Sequence, residues 1–306
     1  MPTEPGGGEG DPRPEGFFLP VTTPFHEDSG ELDREAFRAN LRGWTGAGVD
    51  GVVVAGSTGE APLLDEIEIL RLTEWASEAV PRGRAVVAGT GLESTRGTVR
   101  LCREVARNGA DAALVRPPCY YRGAMSAEAV EAHFRDVADA SPVPVILYNI
   151  PRYVPVELEP EVVGRLARHG NVVGIKDSSG DIQNLGALVE ACGDRASVLV
   201  GAGTLFYGGL EVGARGGVLA VGLLATEACC EILRAWRRDD DGRAGALQER
   251  VGALHRAVVG RHGVAGVKEA LDRLGMAGGP VRAPLTPLDG TGREHVAGAL
   301  ASAGRL

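Results

Sequence analysis

The residue that could do chemistry most plainly in this 306-residue chain is a lysine. Of its 32 lysines and arginines, 30 are arginine and two are lysine, Lys176 and Lys268. Where a surface charge alone was needed, arginine served. A lysine closing the apolar run VVGIK therefore asks for a reason beyond charge. An amine can lose its proton and attack a ketone to form a Schiff base, which a guanidinium cannot do. The protonated imine is an electron sink, and it lets the bond between the next two carbons break or form. The amine must be neutral to attack. A free lysine, with a pKa of ~10.4, is almost wholly charged at neutral pH, and burial disfavours the charged form. Lys176 is accordingly expected to be the nucleophile. The bland alternative is a lysine paired with Asp177, or one that snorkels to solvent. Lys268, followed by Glu269 in a helical stretch, is expected on a surface or at a subunit contact.

Such a lysine needs elements to position it. Eight short apolar runs, many β-branched, recur along the chain: FFLPVTT (17–23), GVVVAGS (51–57), AVVAGTG (85–91), AALVRPP (112–118), PVILYNI (144–150), VVGIKDS (172–178), SVLVGAG (197–203) and GGVLAVG (216–222). Between them lie segments of helical period, such as LLDEIEILRLTEWASEAV and SAEAVEAHFRDVADA, the second with Ser126 as its N-cap. Apolar strands alternating with helices indicate parallel strands buried on both faces. Eight units predict an α/β fold, a (β/α)8 TIM barrel over residues 17–225, followed by a helical C-terminal extension over 226–306. The opening MPTEPGGGEGDPRPEG is rich in Pro, Gly and Glu, and residues 1–16 are expected to form a disordered tail.

In such barrels the chemistry sits at the C-terminal ends of the strands. Standing there are Thr22 and Thr23, Ser57-Thr58-Gly59-Glu60, Cys119-Tyr120-Tyr121, Tyr148-Asn149, Lys176 with Ser178 and Ser179, and the loop starting at Gly201. Tyr148 on the strand next to Lys176 suits a proton relay, although a buried tyrosine often only satisfies its own hydroxyl. GSTGE (56–60) offers hydroxyls and backbone N–H groups, a good nest for a carboxylate. The six histidines are scattered and make no ligand pair with an acid on a strand end, so no metal is expected.

Composition narrows the partners. A net charge of −9 argues against nucleic acid and against an anionic membrane surface. No apolar run reaches the ~18–20 residues of a membrane span. Five cysteines, an odd number without a C-x-x-C pair, suggest a reduced, cytoplasmic protein.

The set GSTGE (56–60), PPCYYRG (117–123), YNIP (148–151) and GIKDSSG (174–180) resembles the dihydrodipicolinate synthase / N-acetylneuraminate lyase superfamily of Schiff-base barrels acting on pyruvate-derived 2-oxo acids. The likeness runs from about residue 17 to about residue 290. GTGLESTRGTV (89–99), GADAALVRPPCYYRGAMS (109–126) and GGPVRAPL (278–285) look most similar to 4-hydroxy-2-oxoglutarate aldolase. The resemblance implies Lys176 as the Schiff-base lysine, with no other cofactor, and Tyr148 as the proton shuttle. It implies Ser57 and Thr58 at the pyruvoyl carboxylate, with Thr58 assisting Tyr148. Ser178 would face the far end of the substrate, and Gly201 and Arg152 complete the substrate-binding set. Tyr120 or Tyr121 would enter a neighbouring subunit's site in a homotetramer built from dimers.

Where the synthase carries an arginine two residues past the proline of its YNVP-type motif, this chain has Tyr153, with Arg152 one earlier. The expected activity is therefore cleavage of 4-hydroxy-2-oxoglutarate to pyruvate and glyoxylate. The alternatives are a 2-keto-3-deoxy-sugar-acid aldolase or dehydratase, a biosynthetic pyruvate aldolase, the synthase itself, and a barrel that binds a 2-oxo acid without turnover.

Overall fold

The computed structural model describes residues 11–304. Eight parallel strands close into a barrel in chain order. They are β1 (Gly16–Pro20), β2 (Gly51–Val54), β3 (Ala85–Gly89), β4 (Ala112–Val115), β5 (Val145–Asn149), β6 (Val172–Asp177), β7 (Ser197–Val200) and β8 (Gly216–Val218). Each begins within one residue of an apolar run read from the sequence. Each ends earlier than its run, so the last residues of the runs become the loops above the barrel. Closure leaves no edge, and seven of the strands are buried along their whole length, β3 being only partly covered at its ends. This is why the strands read as continuous rather than alternating apolar runs.

The helices around them are α1 (Arg34–Thr45), α2 (Glu66–Ala79), α3 (Thr95–Arg107), α4 (Ala127–Ala140), α5 (Pro160–Leu166), α6 (Ile182–Cys192), α7 (Phe206–Glu211) and α8 (Thr226–Trp236). Their starts are chemically marked. Ser126 caps α4 by accepting from the Ala129 amide, as expected. Asp33 stands just before α1 and accepts from the Ala36 amide at 2.9 Å, so it caps that helix.

Two boundaries need correction. Helix α8 follows β8 and packs on α7 and β1, so it is the eighth helix of the outer ring. The division at 225/226 cut it away because the last barrel helix and the first extension helix carry the same periodicity; only packing tells them apart. The extension comprises α9 (Asp241–Leu254), a π-helical turn (His255–Gly260), α10 (Arg261–Arg273) and α11 (Gly290–Ser302).

The second correction concerns the tail. Residues 1–10 lie outside the described part. Residues 13–16 are ordered against the base of the barrel: Arg13 donates to the Asp194 carbonyl, Glu15 pairs with Arg237 at 2.7 Å, and Gly16 begins β1. Linker-like composition gave no sign of these contacts, which come from loops remote in sequence.

Candidate active site

The register of β5 and β6 puts Tyr148 opposite Lys176 and Asn149 opposite Asp177. Side chains alternate along a strand, so the first pair faces the barrel interior and the second faces the helices. Lys176 is 4% exposed, and its Nζ lies 4.1 Å from the centroid of the Tyr148 ring. Asp177 is turned the other way. It accepts from Asn149 Nδ2 at 2.7 Å, Ser179 Oγ at 2.6 Å and Asn184 Nδ2 at 3.3 Å. Burial pushes its carboxyl above the usual range, opposed by the bonds from Ser179 and Asn149. The bland reading of Lys176 as the partner of Asp177 therefore does not describe this site. Asn149 also accepts from the Leu158 amide at 3.2 Å, which ties the end of β5 to the chain leading into α5.

The loop after β2 forms two short 3-10 turns, Ser57–Gly59 and Ala61–Leu63, of which the first faces the barrel mouth. That turn presents the Ser57 hydroxyl 3.4 Å from the Tyr148 phenol. Thr58 lines the same cavity, but the hydroxyl within reach of Tyr148 is that of Ser57. Ser178 and Gly201 come from the ends of β6 and β7, where the Gly201 amide donates to the Asp177 carbonyl at 2.6 Å. A side chain at Gly201 would collide with Ser178.

The cavity these residues enclose has a volume of about 130 Å³ and is lined by Ser57, Thr58, Tyr148, Arg152, Lys176, Ser178 and Gly201 together. All seven were candidates from sequence. A few-carbon 2-oxo acid is of suitable size. Arg152 donates to the Gly260 carbonyl at 3.0 Å, and its guanidinium lies 5.6 Å from the Tyr153 ring centroid. Beyond Ser57 and Tyr153 the cavity opens into a cleft of about 1000 Å³ whose outer wall includes Leu285, Leu288, His262 and His295.

Two candidates are not brought in. Tyr120 and Tyr121 are 79% and 73% exposed on the loop after β4, their rings edge to face with centroids 5.1 Å apart. That loop is fastened by Glu93, which accepts from the Cys119 and Tyr120 amides at 2.9 and 2.8 Å. Burial works to raise the Glu93 carboxyl pKa, but these bonds and Arg116 bring it below the ordinary value.

Lys268 requires a further correction. It is 1% exposed and lies 2.5 Å from Glu60, not on the surface. Its adjoining Glu269 suggested a solvated helix face; the tertiary partner that buries it stands 208 positions away in the sequence numbering.

Sequence reasoning also missed the wall supplied by the extension: His255, Val259, Gly263, Val264 and Val267. His255 opens the π-helical turn, a geometry that recurs at functional sites and has no sequence signature. Burial, assisted by Arg152 and Arg256, holds its pKa down at about 4, and its Nδ1 is buried without a partner. His262 and His295, read as scattered, are hydrogen-bonded at 2.8 Å between α10 and α11. Among the described residues no group of three or more His, Cys, Asp or Glu is placed to hold a metal, and no helix is long and apolar enough to cross a membrane.

The fold is a closed (β/α)8 barrel with a buried lysine at its strand ends, and comparison with known proteins places it more closely. The model of the Dihydrodipicolinate synthetase family matches residues 13–303, and the chain belongs to that family. It is 38% identical to a 4-hydroxy-tetrahydrodipicolinate synthase of Methanothrix thermoacetophila, over 89% of this chain and 91% of the relative. It is likewise 38% identical to a 4-hydroxy-tetrahydrodipicolinate synthase of Streptomyces coelicolor, over 94% and 92%. Among solved structures, the chloride-inhibited dihydrodipicolinate synthase of Acinetobacter baumannii, complexed with pyruvate, superposes with a TM-score of 0.91 at 30% identity, over 95% of this chain and 99% of that one. A prophage protein of the same family from E. coli, also in complex with pyruvate, gives 0.89 at 28% identity, over 95% and 99%. The superfamily expected from sequence is therefore correct. The nearer likeness to 4-hydroxy-2-oxoglutarate aldolase has no counterpart among these relatives.

Proposed function

We propose that the protein is a class I aldolase that joins pyruvate to an aldehyde, or releases it, through an imine on Lys176, and that 4-hydroxy-2-oxoglutarate is its cleavage substrate. The observation that carries the reading is the facing pair Lys176 and Tyr148 inside a small cavity, with the Ser57 hydroxyl 3.4 Å from the phenol. In cleavage, the Lys176 amine attacks the C2 ketone and water leaves, giving the iminium. Tyr148 takes the proton of the 4-hydroxyl. The C3–C4 bond breaks, its electron pair passes into the iminium to form an enamine, and glyoxylate departs. Tyr148 returns a proton to C3, and hydrolysis frees pyruvate and the amine. Ser57 and Thr58 hold the pyruvoyl carboxylate and Ser178 faces the acceptor end. No cofactor beyond the lysine is needed for these steps.

The names of the relatives favour a second reading, a 4-hydroxy-tetrahydrodipicolinate synthase. Against it stands Tyr153 at the place where the synthase motif carries arginine, with Arg152 donating to the Gly260 carbonyl. Both readings share the imine. Pyruvate with borohydride, followed by peptide mapping, is expected to leave a reduced adduct on Lys176; a protein that binds pyruvate and gives no adduct refutes both. Pyruvate release from 4-hydroxy-2-oxoglutarate then supports the first reading. Formation of 4-hydroxy-tetrahydrodipicolinate without that release replaces it with the second. A clear preference for a longer sugar-acid aldehyde in a panel with pyruvate transfers the assignment to a 2-keto-3-deoxy-sugar-acid aldolase.

The exposed Tyr120–Tyr121 pair supports a further part of the proposal: a second copy covers this loop, and one of the two rings completes the copy's site within a tetramer. Light scattering on the purified protein is expected to give four chains, and Tyr120→Ala with Tyr121→Ala is expected to lower both assembly and turnover.

A further inference from the structure

Both lysines of this arginine-rich chain are buried, and the second has an unusual seat. Lys268, on α10, lies 2.5 Å from Glu60 Oε1, donates to the Pro280 carbonyl at 2.6 Å and stands 4.4 Å from the Phe25 ring centroid. A compact ammonium meets all three; a planar guanidinium fork would not. The other oxygen of Glu60 accepts from the Arg282 amide at 2.8 Å. The Arg282 side chain continues the clamp, bidentate on Glu68 at 2.6 and 2.7 Å and with its guanidinium 4.1 Å from the same Phe25 ring. Burial lowers the pKa of Lys268, and Glu60 opposes that shift.

Glu60 is also the residue that ends the Ser57–Gly59 turn. Its amide donates to the Ser57 carbonyl at 3.2 Å, and its backbone is left-handed, φ 60° and ψ 31°. A non-glycine residue keeps that conformation only when its surroundings hold it there. The surroundings here are the buried pair on the side chain and, one residue earlier, the Thr23 hydroxyl donating to the Gly59 carbonyl at 2.7 Å. The turn that carries Ser57 and Thr58 is thus fixed at its far end by a lysine and a strap (residues 278–282) from the C-terminal extension.

We propose that Glu60 and Lys268 are positioning residues: a buried ion latch through which the C-terminal extension sets the Ser57–Thr58 turn for the carboxylate of the incoming 2-oxo acid. The inference rests on the Schiff-base reading of Lys176 and adds the part that recognises the acid group. Its signature is selectivity. A ketone with a carboxylate depends on the latch, whereas a ketone without one reaches Lys176 regardless.

The test traps imines with borohydride on the full-length protein, using pyruvate and hydroxyacetone, and maps the adducts. Only two lysines compete with the N-terminus, so background is low. Breaking one partner of a buried pair leaves an unpaired charge and endangers folding. The principal variant is therefore the double Glu60→Gln/Lys268→Met, which buries no net charge, with Lys268→Met alone beside it. The double variant is expected to melt cooperatively and to need on the order of tenfold more pyruvate, or beyond, for half-maximal adduct. Its hydroxyacetone adduct is expected to stay within about twofold to threefold of wild type, because that imine makes no use of the turn. An equal loss with both ketones, or no loss with either, overturns the latch. Absence of any pyruvate adduct on Lys176 in the wild-type protein overturns the Schiff-base reading itself.

Discussion

Lys176 and Tyr148 face each other because two parallel strands share a register, and the amine is held over the face of the phenol ring. In the proposed reaction its worth as a nucleophile lies in being an amine. Lys176→Arg conserves charge and most of the volume, yet a guanidinium forms no imine. Loss of both the pyruvate adduct and all turnover is therefore expected, checked by borohydride trapping and a pyruvate-release assay; substantial residual turnover would place the nucleophile elsewhere. Tyr148→Phe keeps the ring and removes the hydroxyl proposed to transfer the proton. It is expected to lower kcat by roughly 10²–10⁴-fold while Lys176 remains trappable by pyruvate. A loss under about tenfold would reduce the phenol to packing.

At the level of elements, the site depends on where strands stop and what replaces them. Where β7 ends, Gly201 must lack a side chain, since a Cβ there would run into the Ser178 hydroxyl and the Asp177 carbonyl. Gly201→Ala is expected to cost about 1–3 kcal/mol through overpacking, read by urea denaturation. The same displacement of Ser178 is expected to raise KM for the cleavage substrate more than it lowers kcat, read by steady-state kinetics. The Asn149–Asp177–Ser179 network behind the strands serves the opposite need. It fixes the outward-facing residues so that the inward-facing residues just before them in β5 and β6, Tyr148 and Lys176, keep their aim.

Across the molecule, buried neutral groups set the response to acid. His133, in α4, shares a hydrogen bond with Thr95 at 2.9 Å through Nδ1 and has its Nε2 buried without a partner. Burial holds its pKa down at about 4. The unfolded chain takes up that proton near pH ~6.5, so the unfolded state binds more protons between the two values. Stability is therefore complete above the unfolded value and falls as pH drops from ~6.5 toward 4, by roughly 3 kcal/mol for this group. His255 acts in the same sense. Asp177, raised by burial, acts in the opposite one. Comparing wild type with His133→Asn cancels those shared contributions. The Tm advantage of wild type over the variant is expected to shrink as pH is lowered from 7 to 4.5, and a constant difference would refute the assignment.

By itself, the sequence determined the repeat, the superfamily and the set of candidate residues. Eight apolar runs ending in polar or small residues announce a parallel barrel, because strands buried on both faces have no polar side to show. A lysine among arginines, closing an apolar strand run, marks the candidate nucleophile. Seven of the candidate residues stand around one cavity for that reason: strand ends of a barrel converge wherever the loops go. What the sequence could not supply is whatever depends on contacts between distant segments. That Lys268 is buried on Glu60, that α8 belongs to the ring, that residues 13–16 are pinned to the barrel base and that a π-helical turn brings His255 to the cavity are all decided by packing. Local periodicity is the same for a helix that closes a barrel and one that lies over its mouth, and a lysine beside a glutamate looks solvated until the fold brings another carboxylate to it.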